Sequence, residues 1–279
     1  MKIKYLGTGA SEGFPGLFCK CDVCERARKA GGKNLRTRAQ ALVDNKLLLD
    51  FGPDTNMHAV TGGFDAHNIN TCLITHGHSD HLYLEEMHIR KKGFAYADAD
   101  KNAPATLHMY ASPKTSDIIR GYDEYESLEE CGALKLHEIK AFEKFEAEGF
   151  EITPLEAKHS VVLDPLIYII KGEKCLLYAH DTDYFTDATW EYLEKNKPYF
   201  DFVSLDCTCM LIDYPGSHMG LKGNEEVKER LIKIGCADEN TIFVINHFSH
   251  NGKLIHDELV PVAQEKGFIV AYDGLEIEF

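Results

Sequence analysis

Between Thr71 and Leu84 the chain reads TCLITHGHSDHLYL, which places His76, His78, Asp80 and His81 within six positions behind an apolar run. Imidazoles with one carboxylate form a borderline-hard donor set, suited to Zn²⁺, Mn²⁺ or Fe²⁺. Convergence of four such groups requires a turn, because neighbours along a continuing strand point to opposite faces. Gly77 permits that turn directly after the strand, and Ser79 reads as the N-cap of a helix through DHLYLEEMHIRKKG. Three later apolar runs end in matching groups: His159 in LEAKHS, Asp181 in CLLYAHDTD and His247 in TIFVINHFSH. A second cluster, CKCDVC, supplies thiols at Cys19, Cys21 and Cys24, close enough to reach one ion. The remaining cysteines are scattered and read as small buried hydrophobes, and an odd total of 9 does not suggest a disulfide framework.

The elements that must position these groups are mostly strands. KIKYLG, ALVDNKLLLDFG, TCLITH, TLHMYAS, LKLHEIK, FEITPLEAKHS, LIYIIKG, CLLYAHDTD, FDFVSLDCT, TIFVINH and FIVAYDGLEIEF are short and rich in Ile, Leu, Val, Tyr and Phe. Asp44-Asn45 tolerates left-handed geometry and marks a hairpin. Helical patterns run from Pro113 to Glu130, from Asp187 to Asn196, and from Asn224, as cap, to a stop at Gly235. Helices fall between groups of strands rather than after each one, which favours sheets packed on each other over a doubly wound parallel sheet. With no repeat or linker-like tract, one domain over residues 1–279 is the expectation.

Lys plus Arg number 30 against 45 Asp plus Glu, a formal charge of −15. Such a surface repels a phosphodiester backbone, so extended nucleic acid is not the expected partner. No stretch reaches the roughly 20 apolar residues that cross a bilayer. MKIKYLG is too short for the apolar region of a signal peptide, so a cytoplasmic protein with no membrane partner is expected. A homodimer is the default expectation for assembly.

The pattern H-x-H-x-D-H, then His, then Asp, then His, each after a strand, resembles the metallo-β-lactamase superfamily across essentially the whole chain, from LGTGASEGFP to YDGLEIE. The resemblance implies an α+β fold, an αββα sandwich of two mixed sheets with helices outside and the site along one edge. It implies that His76, His78 and His159 hold one divalent ion, that Asp80, His81 and His247 hold another, and that Asp181 bridges them. The combination G-T-G-x-x-x-G-x-P, C-x-C-x-x-C and H-x-x-H is similar to the PhnP-type phosphodiesterases that accompany carbon–phosphorus lyase. That likeness implies a structural Zn²⁺ in a small knuckle around residues 19–24, held by Cys19, Cys21, Cys24 and His250. It also implies an active-site histidine at His218.

The expected function is hydrolysis of a small, cyclic phosphodiester such as 5-phosphoribosyl 1,2-cyclic phosphate, with two Zn²⁺ or Mn²⁺ ions activating a shared water. Asp80 would orient that water and His218 would protonate the departing oxygen. Competing readings are a transfer-RNA 3′ processing endonuclease, a lactone or thioester hydrolase, a PQQ-biosynthesis accessory protein, and a metal-binding module without catalysis. His58, His67, His88, His108, His137, His180 and His256 carry no such pattern.

Overall fold

The structure, a computed structural model, describes residues 1–97, 103–212 and 216–279. One seven-stranded sheet is built from β1 (Lys2–Gly7), β2 (Gln40–Val43), β3 (Leu47–Leu49), β4 (Thr71–Leu73), β5 (Leu107–Ala111), β6 (Leu134–Glu138) and β14 (Glu276–Glu278). The other seven-stranded sheet is built from β7 (Phe145–Ala147), β8 (Phe150–Glu156), β9 (Leu166–Lys171), β10 (Cys175–Ala179), β11 (Phe202–Asp206), β12 (Ile242–Asn246) and β13 (Ile269–Val270). Their orders are β14-β1-β2-β3-β4-β5-β6 and β13-β12-β11-β10-β9-β8-β7. Seven α-helices are described: α1 (Asp22–Ala30), α2 (Thr55–Val60), α3 (Pro113–Arg120), α4 (Tyr125–Glu130), α5 (Asp187–Asn196), α6 (Leu221–Ile234) and α7 (His256–Glu265). The result is the two-sheet α+β sandwich.

Strand periodicity explains the layers. Ala41, Val43, Leu47 and Leu49 join the core between the sheets, together with Tyr5, Ile152, Tyr168 and Tyr178. The intervening Leu42 and Leu48 point the other way, into a second core with Met109, Ile119 and Leu128. Strands covered on both faces read as continuous apolar runs, as these do. The hairpin turn lies at Asp44 and Asn45, both left-handed at φ 47° and 58°.

Strand direction decides where the functional groups gather. β10, β11 and β12 are parallel neighbours, and β8 runs the same way because β9 is antiparallel to both β8 and β10. Their carboxyl ends therefore share one edge. In the facing sheet β3 and β4 are parallel, and the residues after them, 50–52 and 74–81, meet that same edge. Two bonds between the sheets fix the meeting: the Tyr168 hydroxyl donates to the Ile74 carbonyl at 2.5 Å, and the Leu166 N–H donates to the Thr75 carbonyl at 2.8 Å.

Three sequence expectations change. No α-helix follows Ser79; a turn is followed by a 3₁₀ segment over Leu84–Arg90. Phe51 pairs with this stretch, donating to the His81 carbonyl and accepting from Tyr83, which keeps Leu82 and Tyr83 extended. The long helix from Pro113 divides into α3 and α4 at Gly121, where glycine is costly inside a helix and the following turn lets Tyr122 and Tyr125 pack on the second core. Asn224 lies inside α6, not at its start: its buried amide donates to the carbonyls of Asp206 and Gly220, both at 2.8 Å. The helix stops where expected, at left-handed Gly235.

Candidate metal centres

His76, His78 and His159 come together at the shared edge, from the turn after β4 and the loop after β8. His76 Nε2 is 2.8 Å and His159 Nε2 is 3.2 Å from His78 Nδ1. Zn–N bonds of 2.0–2.1 Å give nitrogen–nitrogen separations of about 2.9 Å for octahedral and about 3.3 Å for tetrahedral ligation. The three nitrogens thus lie at the spacing of ligands on one ion. Beside them Asp80 Oδ2 lies 3.2 Å from His81 Nε2. Asp181 stands between the triads. Its Oδ2 is 2.8 Å from His81 Nε2 and 3.0 Å from His247 Nε2, and its Oδ1 is 3.7 Å from His159 Nε2. Asp181 and His247 both take left-handed backbone, φ 49° and 62°, as the chain turns sharply off β10 and β12.

The chemistry of these atoms fits cations. His81 Nε2, Asp181 Oδ2 and His247 Nε2 are buried, converge, and make no hydrogen bond of acceptable geometry. Leaving such groups unsatisfied is expensive unless their lone pairs are directed at an ion. The local field points the same way. Burial opposes charge on His81, but Asp181, Asp80 and Asp50 hold its pKa well above the ordinary histidine value. His76 and His159 are pushed down by burial and stay neutral, as ligands must.

A further ring of groups orients these donors. Asp50, fully buried at the end of β3, lies 2.7 Å from His81 Nδ1 and accepts from the Thr75 N–H at 2.7 Å. Thr208 Oγ1 is 2.7 Å from His247 Nδ1. Asp206, fully buried at the end of β11, lies 2.8 Å from His218 Nδ1. His218 reaches the site edge, 3.9 Å from Asp181 Oδ1. Burial works against its charged form, yet Asp206 first and Asp181 second raise its pKa to about 9. Sequence reasoning did not single out Asp50 or Asp206. Both carried a signal: each is a carboxylate closing an apolar strand, the signature that singled out Asp181.

The second cluster is assembled by α1. Cys21 is its N-cap and Cys24 lies one turn on, while Cys19 precedes them on the loop. His250, from the 3₁₀ turn after β12, places Nδ1 at 3.5 Å from the sulfurs of both Cys19 and Cys21. Tetrahedral Zn–S and Zn–N bonds of 2.3 and 2.0–2.1 Å give an edge of about 3.6 Å. Backbone N–H groups of Gly16 and Cys21 face the sulfurs of Cys24 and Cys19 at 3.3 and 3.4 Å, favouring thiolates. The Cys24 N–H holds the Cys21 thiol down at about 6, while burial pushes Cys24 up to about 12. The donor atoms of Cys19, Cys21, Cys24 and His250 all lie within 4.8 Å of one another.

The fold and this order of donors have a counterpart among known proteins. The family model described as Beta-lactamase superfamily domain matches residues 45–243. The chain belongs to the metallo-β-lactamase superfamily. It is 27% identical, over 99% of its length, to a protein named octanoyltransferase from Porphyromonas gingivalis, 51% of which lies in the match. It is 28% identical over 161 residues to a ribonuclease Z from Picosynechococcus, covering 58% of this chain and 44% of that one. The chain thus spans about half the length of the curated relatives it matches. A diphosphatase from the PhnP family superposes with a TM-score of 0.74 at 24% identity, covering 100% of this chain and 98% of that one, a likeness of fold. Among the described residues no helix is long and apolar enough to cross a membrane.

The other histidines have ordinary structural partners where the structure gives them. His180 is buried and bonded to Ser204 Oγ at 2.7 Å, and His58 lies between Thr37 and Gln40.

Proposed function

We propose that this chain is a metal-dependent phosphodiesterase acting on a small diester, with 5-phosphoribosyl 1,2-cyclic phosphate as the type of cyclic substrate. The observation that carries the proposal is the meeting of two donor triads around Asp181 with His218 at their edge. His76, His78 and His159 would hold one divalent ion and Asp80, His81 and His247 the other, with Asp181 shared. Such ions, Zn²⁺ or Mn²⁺, supply Lewis acidity toward the phosphoryl oxygens and lower the pKa of a water. The protein's own groups do the rest. Asp80, buried beside His81, would orient the attacking water through a carboxylate oxygen. His218 is held by Asp206 through Nδ1, which leaves Nε2 to pass a proton to the departing alkoxide. A raised pKa keeps that proton available at neutral pH. Cys19, Cys21, Cys24 and His250 would take a structural Zn²⁺ that does not touch the reacting atoms.

A cavity of about 520 Å³ adjoins His159, bordered by Ser112, Lys140, Lys158 and Thr186. Its lysines are matched by Glu156 and Asp164, so it is the cavity's size, on a chain of charge −15, that suits a small substrate better than an extended polyanion. Parallel assays on bis(4-nitrophenyl) phosphate, a cyclic phosphodiester, a lactone and a thioester test the reading. We expect phosphodiester turnover to dominate, and His218→Ala to slow a diester with an alkoxide leaving group by about 10²–10⁴-fold at unchanged metal content. Lactone or thioester turnover alone would overturn the diester assignment. The likeness to ribonuclease Z supports a second reading, trimming of transfer-RNA 3′ ends, which precursor cleavage at physiological salt would reveal.

A further inference from the structure

Glu12 has no part in the chemistry above, yet its carboxylate faces the four-donor centre. Its Oε1 accepts a hydrogen bond from Ser249 Oγ at 2.5 Å and lies 3.6 Å from His250 Nε2. The other nitrogen of His250 is the one that faces Cys19 and Cys21. An imidazole that offers Nδ1 as a donor must carry its proton on Nε2, and Glu12 is the group that meets that proton. Gly16 completes the arrangement. A Cβ there would lie 3.2 Å from Cys19 Cβ, 3.4 Å from His250 Cδ2 and 3.5 Å from Glu12 Cγ, so the three side chains close around a position with little room for a methyl.

The same segment reaches the active site. His247 is a donor of the dinuclear cluster and His250 a donor of the cysteine cluster, with only Phe248 and Ser249 between them. Residues 8–12 run beside this stretch: the Phe248 N–H donates to the Thr8 carbonyl at 2.9 Å and the Ala10 N–H to the Phe248 carbonyl at 3.0 Å. Glu12 then grips Ser249. The N-terminal loop thus holds, at one end, a histidine whose backbone is left-handed and, at the other, the ligand of a different ion.

We propose that Glu12 is a positioning residue that selects the Nε2-protonated form of His250 and couples the cysteine centre to the His247 side of the active site. The proposal rests on the cysteine cluster taking a divalent ion, and is independent of the phosphodiesterase reading. Its gap of 3.6 Å is longer than a hydrogen bond, so the carboxylate acts on His250 chiefly through its charge, while its bond to Ser249 sets the geometry.

The test uses the full chain loaded with Co²⁺. Thiolate-to-cobalt charge transfer reports the cysteine centre alone, because the dinuclear donors include no sulfur, and chelator competition gives each affinity. Glu12→Ala is expected to weaken the cysteine centre by about 10–100-fold and to lower retention of an active-site ion as well. Glu12→Gln keeps an oxygen acceptor without the charge and should fall between Glu12→Ala and the parent. In the full chain stripped of metal, ¹⁵N NMR should find the proton on Nε2 of His250 in the parent and a mixed population in Glu12→Ala, which a merely space-filling Glu12 would not produce. Parent-like affinity and tautomer in both variants would overturn the proposal. A weakened cysteine centre with undisturbed active-site retention would overturn the coupling. Absence of the charge-transfer band in the parent would remove the centre and the proposal with it. Should Glu12→Ala not fold, Glu12→Gln carries the same measurements.

Discussion

At the scale of single residues, the site is two shells with different physics. The donors need lone pairs free, and burial keeps His76 and His159 neutral for that purpose. The supporting groups need fixed positions, and Asp50 and Asp206 face His81 and His218 from fully buried places. Burying a carboxylate costs several kcal/mol unless it is paired, so each is tied to a histidine and to backbone N–H groups. Asp206→Asn keeps the shape and removes the charge that holds His218 protonated. We expect the His218 pKa to fall from about 9 toward the ordinary histidine range and turnover to drop by about 10–100-fold. NMR titration of the ring alongside steady-state kinetics checks both, and an unmoved titration would show that Asp206 is not the cause.

At the scale of elements, the site depends on turns that leave strands abruptly. Residues 76–81 converge because the His81 and Leu82 N–H groups fold back on the His78 carbonyl, while Phe51 holds the next residues extended. The close approach of the two loops needs Gly52. A Cβ there would stand 2.2 Å from the Asp80 carbonyl oxygen, a backbone atom that cannot swing aside. Gly52→Ala should therefore destabilise the fold by about 1–3 kcal/mol and push Asp80 and His81 out of register. Denaturant unfolding and metal analysis are the measurements, and normal stability with a full complement of ions would refute the tight-contact argument.

At the scale of the molecule, charge and burial set the response to pH. Burial holds both His58 and His256 down to about 4, with Arg36 adding to the effect at His256, against 6.5 for an unburied histidine. Below 6.5 the unfolded chain takes up protons that the folded chain refuses until near 4. Stability from these two groups is complete above about pH 6.5 and declines as the pH falls toward 4, by about 1–3 kcal/mol for each. Unfolding free energies at pH 7 and pH 5 should show the loss, and His58→Gln with His256→Gln should flatten it. An unchanged slope in the double variant would assign the pH dependence to other groups.

The amino-acid order alone determined much of this protein, because its strands are short apolar runs with polar residues at their ends, and a metal donor closing such a run is chemically conspicuous. His76, His78, Asp80 and His81 could be read that way, His159, Asp181 and His247 through an order that resembles a known family, and the cysteine trio through its close spacing. The two-sheet architecture followed from strands outnumbering helices. Less was legible where long-range contacts override local preference. The expected helix after Ser79 gave way to pairing with Phe51, the helix from Pro113 divided at Gly121, and Asn224 left its capping role to bond the Asp206 carbonyl. Asp50 and Asp206 close apolar strands, but their tasks, like that of Glu12, are set by partners that lie 31, 12 and 238 positions away in sequence. Periodicity and residue type are local properties of a chain; which charges meet where its loops converge is not.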